Sequence, residues 1–176
     1  NARAVGEKID VMGPLGNGFW IEKGARRIAL VGGGTGIGPM IMLANAHTNL
    51  DIFTFIGARN KDILWGERAL KKHSKKLYIS TDDGSHGHKG LVTELLENFL
   101  KTEQPVDQII TCGPTPMMQR VAHIAAAAKT PCQASREEHV ACGFGACLGC
   151  PCEVKDEGYK MICLDGPVFE TKKINL

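Results

Sequence analysis

This 176-residue sequence contains no apolar run approaching 18 residues, so it encodes no transmembrane helix. It contains no block of five or six like charges, and its net charge is only +2. Both features argue against a dedicated nucleic-acid-binding or membrane-surface protein. The first twenty residues are polar and glycine-rich and carry no apolar core of a secretory signal. There is no internal repeat, no Ser/His/Asp set and no general acid–base dyad. The cysteines number seven, an odd count that does not suit a closed disulfide framework. Without a signal segment they read as cytosolic thiols or metal ligands, and a cytoplasmic location is expected. What is present is enough apolar residue, 43% against 23% charged, to bury a core of one domain plus a small appendage.

Residues 1–26 read as a lead-in, with Ile9–Met12 a candidate edge strand and GPLGNGF (Gly13–Phe19) a turn-rich loop. The chain opens at Asn1 in a strand-like run, and we expect it to lack an N-terminal part. From Arg27 to residue 130 strands and helices alternate. Strands are predicted at Arg27–Val31, Asp51–Ile56, Leu77–Thr81 and Val106–Cys112. Helices are predicted at Ile37–His47, Ile63–His73, Leu91–Lys101 and Met117–Ala128, with Pro114 opening the last. The fold class is therefore α/β, a Rossmann-like parallel sheet with helices on both faces. Residues 131–176 break the pattern. They form a small β-rich lobe, with strand-like pieces at Cys152–Lys155 and Tyr159–Leu164. About 45 residues make a poor apolar core, so the cysteines are the expected staple.

The loop VGGGTGIGP (Val31–Pro39) follows a strand and precedes a helix. Gly32, Gly33, Gly34, Gly36 and Gly38 let backbone approach a phosphate, Thr35 adds a hydroxyl, and the N-terminus of the helix, whose first turn holds Pro39, adds free N–H groups. No frame matches G-x-G-x-x-G, because Ile37 and Pro39 fall where the last glycine belongs. The loop instead resembles the GTGIxP loop of the ferredoxin–NADP⁺ reductase family, whose corresponding domain binds a nicotinamide dinucleotide. TCGPTPMM (Thr111–Met118) closes the fourth strand and resembles the CGP motif bordering nicotinamide in that family. The resemblance puts Cys112, Gly113 and Pro114 beside the hydride-transfer site, with Cys112 a lining residue rather than a covalent nucleophile. Asp82 and Asp83 end the third strand, where a carboxylate accepts ribose hydroxyls and repels a 2′-phosphate. They favour NAD over NADP, while Arg59 pulls the other way. A plain solvated turn explains the two aspartates equally well. His86 and His88 read as solvated loop residues.

Cys142, Cys147, Cys150 and Cys163 are spaced C-x4-C-x2-C-x12-C, and the first three match the plant-type [2Fe–2S] pattern. The small residues of ACGFGACLGC let a loop wrap closely and aim N–H groups at sulfur. The competing reading is structural zinc, but only Cys147 and Cys150 form a close knuckle. Cys152 is a possible rival ligand, ranked as a non-ligand, and Cys132 is a bystander.

The glycine loop, the CGPTPMM turn, the TDDGSHGHKG loop and the cysteine segment followed by LDGPVF (Leu164–Phe169) together resemble the electron-transfer subunits of type B dihydroorotate dehydrogenases. That resemblance implies FAD, a [2Fe–2S] cluster and NAD as cofactors. It also implies a hetero-oligomer with an FMN-containing dihydroorotate dehydrogenase catalytic subunit, working in pyrimidine biosynthesis. Members begin with a β-barrel carrying a flavin motif; no such segment stands here, so weak FAD retention is expected. Two alternatives stay open. One is a flavin and iron–sulfur subunit serving ferredoxin, sulfide or a hydrogenase. The other is a non-redox module, either zinc-stabilised or merely NAD-binding.

Overall fold

The computed structural model describes residues 3–102, 105–155 and 158–176. Its order is β1 (Arg27–Gly33), a 3-10 turn (Gly34–Gly36), α1 (Ile37–Ala46), β2 (Asp51–Ala58), α2 (Glu67–His73), β3 (Lys76–Thr81) and β4 (His88–Lys89). There follow α3 (Val92–Thr102), β5 (Gln108–Cys112), α4 (Thr115–Ala127), β6 (Cys132–Ser135), β7 (Pro151–Val154), β8 (Gly158–Met161) and β9 (Val168–Glu170). Seven strands form one sheet in the order β4-β3-β2-β1-β5-β6-β9. All its pairings are parallel except β6 with β9. β7 and β8 form a separate antiparallel hairpin.

Side chains alternate across the central strands, and each face meets its own helices. Ala29, Val31, Phe53 and Phe55 pack with Val92, Leu96 and Phe99 of α3 and Val121 and Ile124 of α4. Ile28, Leu30, Ile52 and Ile56 pack on the other face with Ile37, Met40 and Leu43 of α1 and Leu70 of α2. Because both faces are dry, β1 and β2 read as continuous apolar runs rather than alternating ones.

Several boundaries differ from expectation. Ile9–Met12 is not a strand and lies exposed. The helix expected from Ile63 begins only at Glu67, because Gly66 takes a left-handed turn at φ 81°. Pro114 is the N-cap of α4 rather than its first helical residue, and Pro116 occupies the first turn. The sheet does not end near residue 130: β6 extends it in parallel, and β9 returns to close its edge. The cysteine-bearing segment is thus carried between two neighbouring strands of the main sheet.

The lead-in is held by two fully buried glutamines at the start of β5 and within β6. Gln108 and Gln133 each donate through Nε2 to the Trp20 carbonyl, at 2.9 and 3.0 Å. Their Oε1 atoms accept from the backbone N–H of Glu22 and Trp20, at 3.0 and 3.2 Å. The two amides replace the ladder partners that residues 20–22 would otherwise need. Further upstream, Asn17 donates through Nδ2 to the Leu164 and Asp165 carbonyls and through its N–H to Gly166. GPLGNGF therefore docks on the DGP turn, joining two segments far apart in sequence.

Candidate dinucleotide crevice and cysteine site

The ends of β1 and β5 lie side by side, with Gly32 opposite Cys112. From β1 the chain moves outward through β2 and β3; from β5 it moves the opposite way to β6. Strand order therefore reverses between them, which is where open parallel sheets form a ligand crevice. The sequence placed the glycine loop and the Cys112 turn at strand ends, and the fold makes them neighbours. Gly36 sits so close that a Cβ would overlap the Cys112 carbonyl, and Gly113 lies against the Gly33 backbone. Gly32 and Gly33 are buried behind the loop, while Gly34 and Thr35 stand exposed on its rim. Gly38 and Pro39 lie within α1, and no side chain caps that helix. In its first turn the Ile37 N–H is taken by the Gly34 and Thr35 carbonyls and Pro39 has none, so Gly38 supplies the donor left at the positive end of the helix dipole.

Cys112 is 3% exposed. Burial, opposed by a hydrogen bond to Ser135, pushes its thiol up, which disfavours the thiolate. Asp83 turns back on its own loop, accepting from the Ser85 hydroxyl at 2.6 Å and the Ser85 N–H at 2.9 Å. Those bonds hold its carboxyl below the usual range. Asp82 donates its N–H to the Ala58 carbonyl, and its carboxylate makes no side-chain bond among the described residues. His86 pairs with Glu67 of α2 at 2.9 Å and His88 with Glu94 of α3 at 3.0 Å. The two histidines are thus engaged separately. Sequence reasoning missed Trp65, whose indole N–H donates to the Gly34 carbonyl at 3.0 Å. Nothing in its spacing signals that reach.

In the lobe, Cys150 and Cys163 bring their sulfurs to 3.3 Å, and both are buried. Cys142 is half-buried and Cys147 exposed, so these two lie closer to solvent. The Cys147 N–H points at the Cys142 sulfur at 3.5 Å, the Gly149 N–H at Cys147 at 3.4 Å, and the Cys163 N–H at Cys150 at 3.4 Å. Backbone N–H groups, first Cys147 and then Phe144, push the Cys142 thiol down to about 6. Cys163 is pushed up by its bond to Cys150 and by burial. The left-handed residues Gly143, Gly145 and Leu148 bend the loop around these sulfurs. No group of three His, Cys, Asp or Glu side chains gathers around a single-ion position among the described residues. Cys152 is 1% exposed and packs with Val154 and Ile174; burial pushes its thiol up, and its sulfur donates only to the Glu153 carbonyl. Cys132 lies in the main core, its thiol pushed up to about 12 by burial. A groove of about 630 Å³ runs from Arg136–Val140, the segment after β6, to Cys163, Ile162 and Pro167.

Residues 30–123 match the oxidoreductase NAD-binding domain, and residues 137–175 match the iron–sulfur cluster binding domain of dihydroorotate dehydrogenase B. The chain is 44% identical over 167 residues to the dihydroorotate dehydrogenase B (NAD⁺) electron transfer subunit of Clostridium perfringens, covering 93% of this chain and 65% of that one. It is 37% identical to the subunit of the same name from Caldanaerobacter subterraneus subsp. tengcongensis, covering 96% of this chain and 67% of that one. It therefore spans about two thirds of the length of these relatives. The solved structure of an NADH-dependent reduced ferredoxin–NADP oxidoreductase superposes with a TM-score of 0.84 at 33% identity, over 95% of this chain and 60% of that one. A reductase-type nucleotide fold and a cysteine lobe of this kind, on one chain with these relatives, place it in the family of dihydroorotate dehydrogenase B electron transfer subunits.

Proposed function

We propose that this chain carries electrons between a nicotinamide dinucleotide in the β1/β5 crevice and a [2Fe–2S] cluster on Cys142, Cys147, Cys150 and Cys163, with FAD between them. The observation that carries the reading is the grouping of the cysteines two by two: the Cys150 and Cys163 sulfurs lie against each other, and the Cys142 sulfur accepts from the Cys147 backbone N–H. Two irons take two thiolates each, whereas one zinc takes four thiolates around one point. The three backbone N–H groups aimed at sulfur suit a thiolate set carrying net negative charge. When bound, the cluster supplies one-electron steps and flavin converts them to the hydride step of nicotinamide.

This chain's residues do the positioning. The Gly36–Cys112 contact brings the anion-binding helix start against the turn that lines the crevice. Asp82, just beyond β3, is assigned to the ribose, which favours NAD. The groove from Arg136 to Cys163 begins one residue beyond Ser135, the register partner of Cys112, and so starts near the crevice turn. Phe144 and Leu148 are exposed beside the outer thiol pair, which suits a face toward the next redox centre. The partner is an FMN-containing dihydroorotate-oxidising subunit in a hetero-oligomer, and the substrate chemistry resides there. A second reading, electron exchange with ferredoxin, is favoured by the 33% identical ferredoxin–NADP oxidoreductase.

The test is metal and sulfide analysis of anaerobically purified protein, followed by coupling. About two irons and two sulfides per chain support the cluster; about one zinc without sulfide refutes it. NADH formation from dihydroorotate with the FMN partner supports the first reading. Failure there, with transfer to ferredoxin, establishes the second.

A further inference from the structure

Trp65 is the feature of the crevice that the nucleotide-binding reading leaves unexplained. It lies in the β2–α2 connection, 31 residues from the loop it touches, and is 46% exposed. Its indole N–H donates to the Gly34 carbonyl at 3.0 Å, and its ring reaches to 3.5 Å from where a Cβ on Gly38 would stand. Gly66, at φ 81°, seats the same connection against Ile37 and Ile41 at the start of α1. The indole is thus fixed to both ends of the phosphate-loop turn.

A peptide group is planar and trans, so its carbonyl and the next residue's N–H point in opposite directions. Holding the Gly34 oxygen toward the indole therefore holds the Thr35 N–H away from it. Gly34 sits at φ 57° with open space around a would-be Cβ, and its carbonyl is shared between the Ile37 N–H of the 3-10 turn and the indole, so Trp65 supplies the side-chain restraint on this peptide beside one backbone bond. A reversed Gly34–Thr35 peptide would show an oxygen, not a donor, to an anion. We propose that Trp65 is the positioning residue that holds the Gly34–Thr35 peptide with its N–H available to the pyrophosphate of the dinucleotide. The inference rests on the nucleotide-binding reading above and deepens it.

The experiment titrates NADH into the ¹⁵N-labelled 176-residue chain and two variants. Trp65→Phe keeps an aromatic ring and loses the donor. Trp65→His places Nε2 where the indole nitrogen was and loses the benzo ring. Wild type is expected to bind NADH with a downfield shift of the Thr35 amide. Trp65→Phe should bind about fivefold more weakly, the scale of one net hydrogen bond, and should lose that amide shift. Trp65→His should recover both. Equal affinity and an intact Thr35 shift in Trp65→Phe would overturn the proposal while leaving the nucleotide site standing. Equal weakening of both variants would also overturn it, assigning Trp65 to bulk packing. If Trp65→Phe fails to fold, Trp65→His alone decides, since its donor is retained and wild-type-like Thr35 behaviour is required of it. Failure of wild type to bind NADH would remove the nucleotide reading and this inference with it.

Discussion

Replacing Gly36 by alanine tests whether the glycine loop and the Cys112 turn work as one unit. Gly36 is buried, and its missing side chain leaves the space occupied by the Cys112 carbonyl and the Gly113 nitrogen. Those are backbone atoms at the end of β5, held in register with β1 by the Gly32–Cys112 pairing. No rotamer change relieves the overlap, so the loop must lift away from the turn. Overpacking of this kind costs about 1–3 kcal/mol. For a chain of this size that lowers Tm by about 2–12 °C. The lift also moves the start of α1 from the crevice wall, and NADH affinity should fall by at least about tenfold, the equivalent of 1.4 kcal/mol. Gly34→Ala is the control, because Gly34 has open space around it but a φ of 57°. It costs about 1–2 kcal/mol of backbone strain without pushing on Cys112. Calorimetric NADH titration and thermal melts of both variants decide the matter. The reasoning is wrong if Gly36→Ala keeps wild-type affinity, or if Gly34→Ala is the more damaging of the two for binding.

Cys163→Ser should reduce iron and sulfide well below about two of each per chain, whereas Cys152→Ala should retain both; metal analysis that reverses this order refutes the ligand set. Gln133→Leu removes the acceptor of the Trp20 N–H and leaves the Trp20 carbonyl with Gln108 alone. It should cost about 2–3 kcal/mol in urea unfolding, with Trp20 fluorescence shifted toward that of exposed indole; an unchanged midpoint would show that residues 20–22 are not held by the amides. Asp107 accepts from the Arg26 and Arg27 N–H groups at 2.8 Å, which lowers its carboxyl below the usual range. Its contribution is therefore present above the unfolded value, about 4, and fades as pH falls through the lowered folded value. The Tm gap between wild type and Asp107→Asn should be widest near neutrality and narrow in acid; a gap that widens on acidification contradicts the assignment.

What the sequence made legible follows from how local each signal is. β1 and β2 were visible because strands buried on both faces leave unbroken apolar runs. The cysteine spacing was visible because the loop binding the first three thiols is only nine residues long. The reversal of strand order between β1 and β5 was not visible, because adjacency depends on which way each crossover turns. Trp65, Gln108 and Gln133 were missed for the same reason: each acts on a backbone group 31 to 113 residues away. The edge strand expected at Ile9–Met12 failed because an apolar run predicts extension only where a neighbour offers a ladder. The helix expected from Ile63 failed because a single left-handed glycine, Gly66, resets its start.

The placement of the cysteine lobe has a mechanical consequence. A lobe appended after residue 130 would hang on one covalent connection and be free to swing. Here the chain enters it from β6 and leaves it into β9, and these strands pair with each other, Ser135 opposite Val168. β6 in turn pairs with β5, so Ser135 lies opposite Cys112. A single row of strand pairings thus runs from the crevice turn through the entry of the lobe to its exit. Asn17 fastens the exit turn a second time through the Leu164 and Asp165 carbonyls, and Arg136 ties the entry to the Asn175 carbonyl at 2.9 Å. Transfer between redox centres depends steeply on their separation. A lobe held at entry, exit and flank keeps that separation fixed without a large apolar interface, which so small a segment does not have the residues to build.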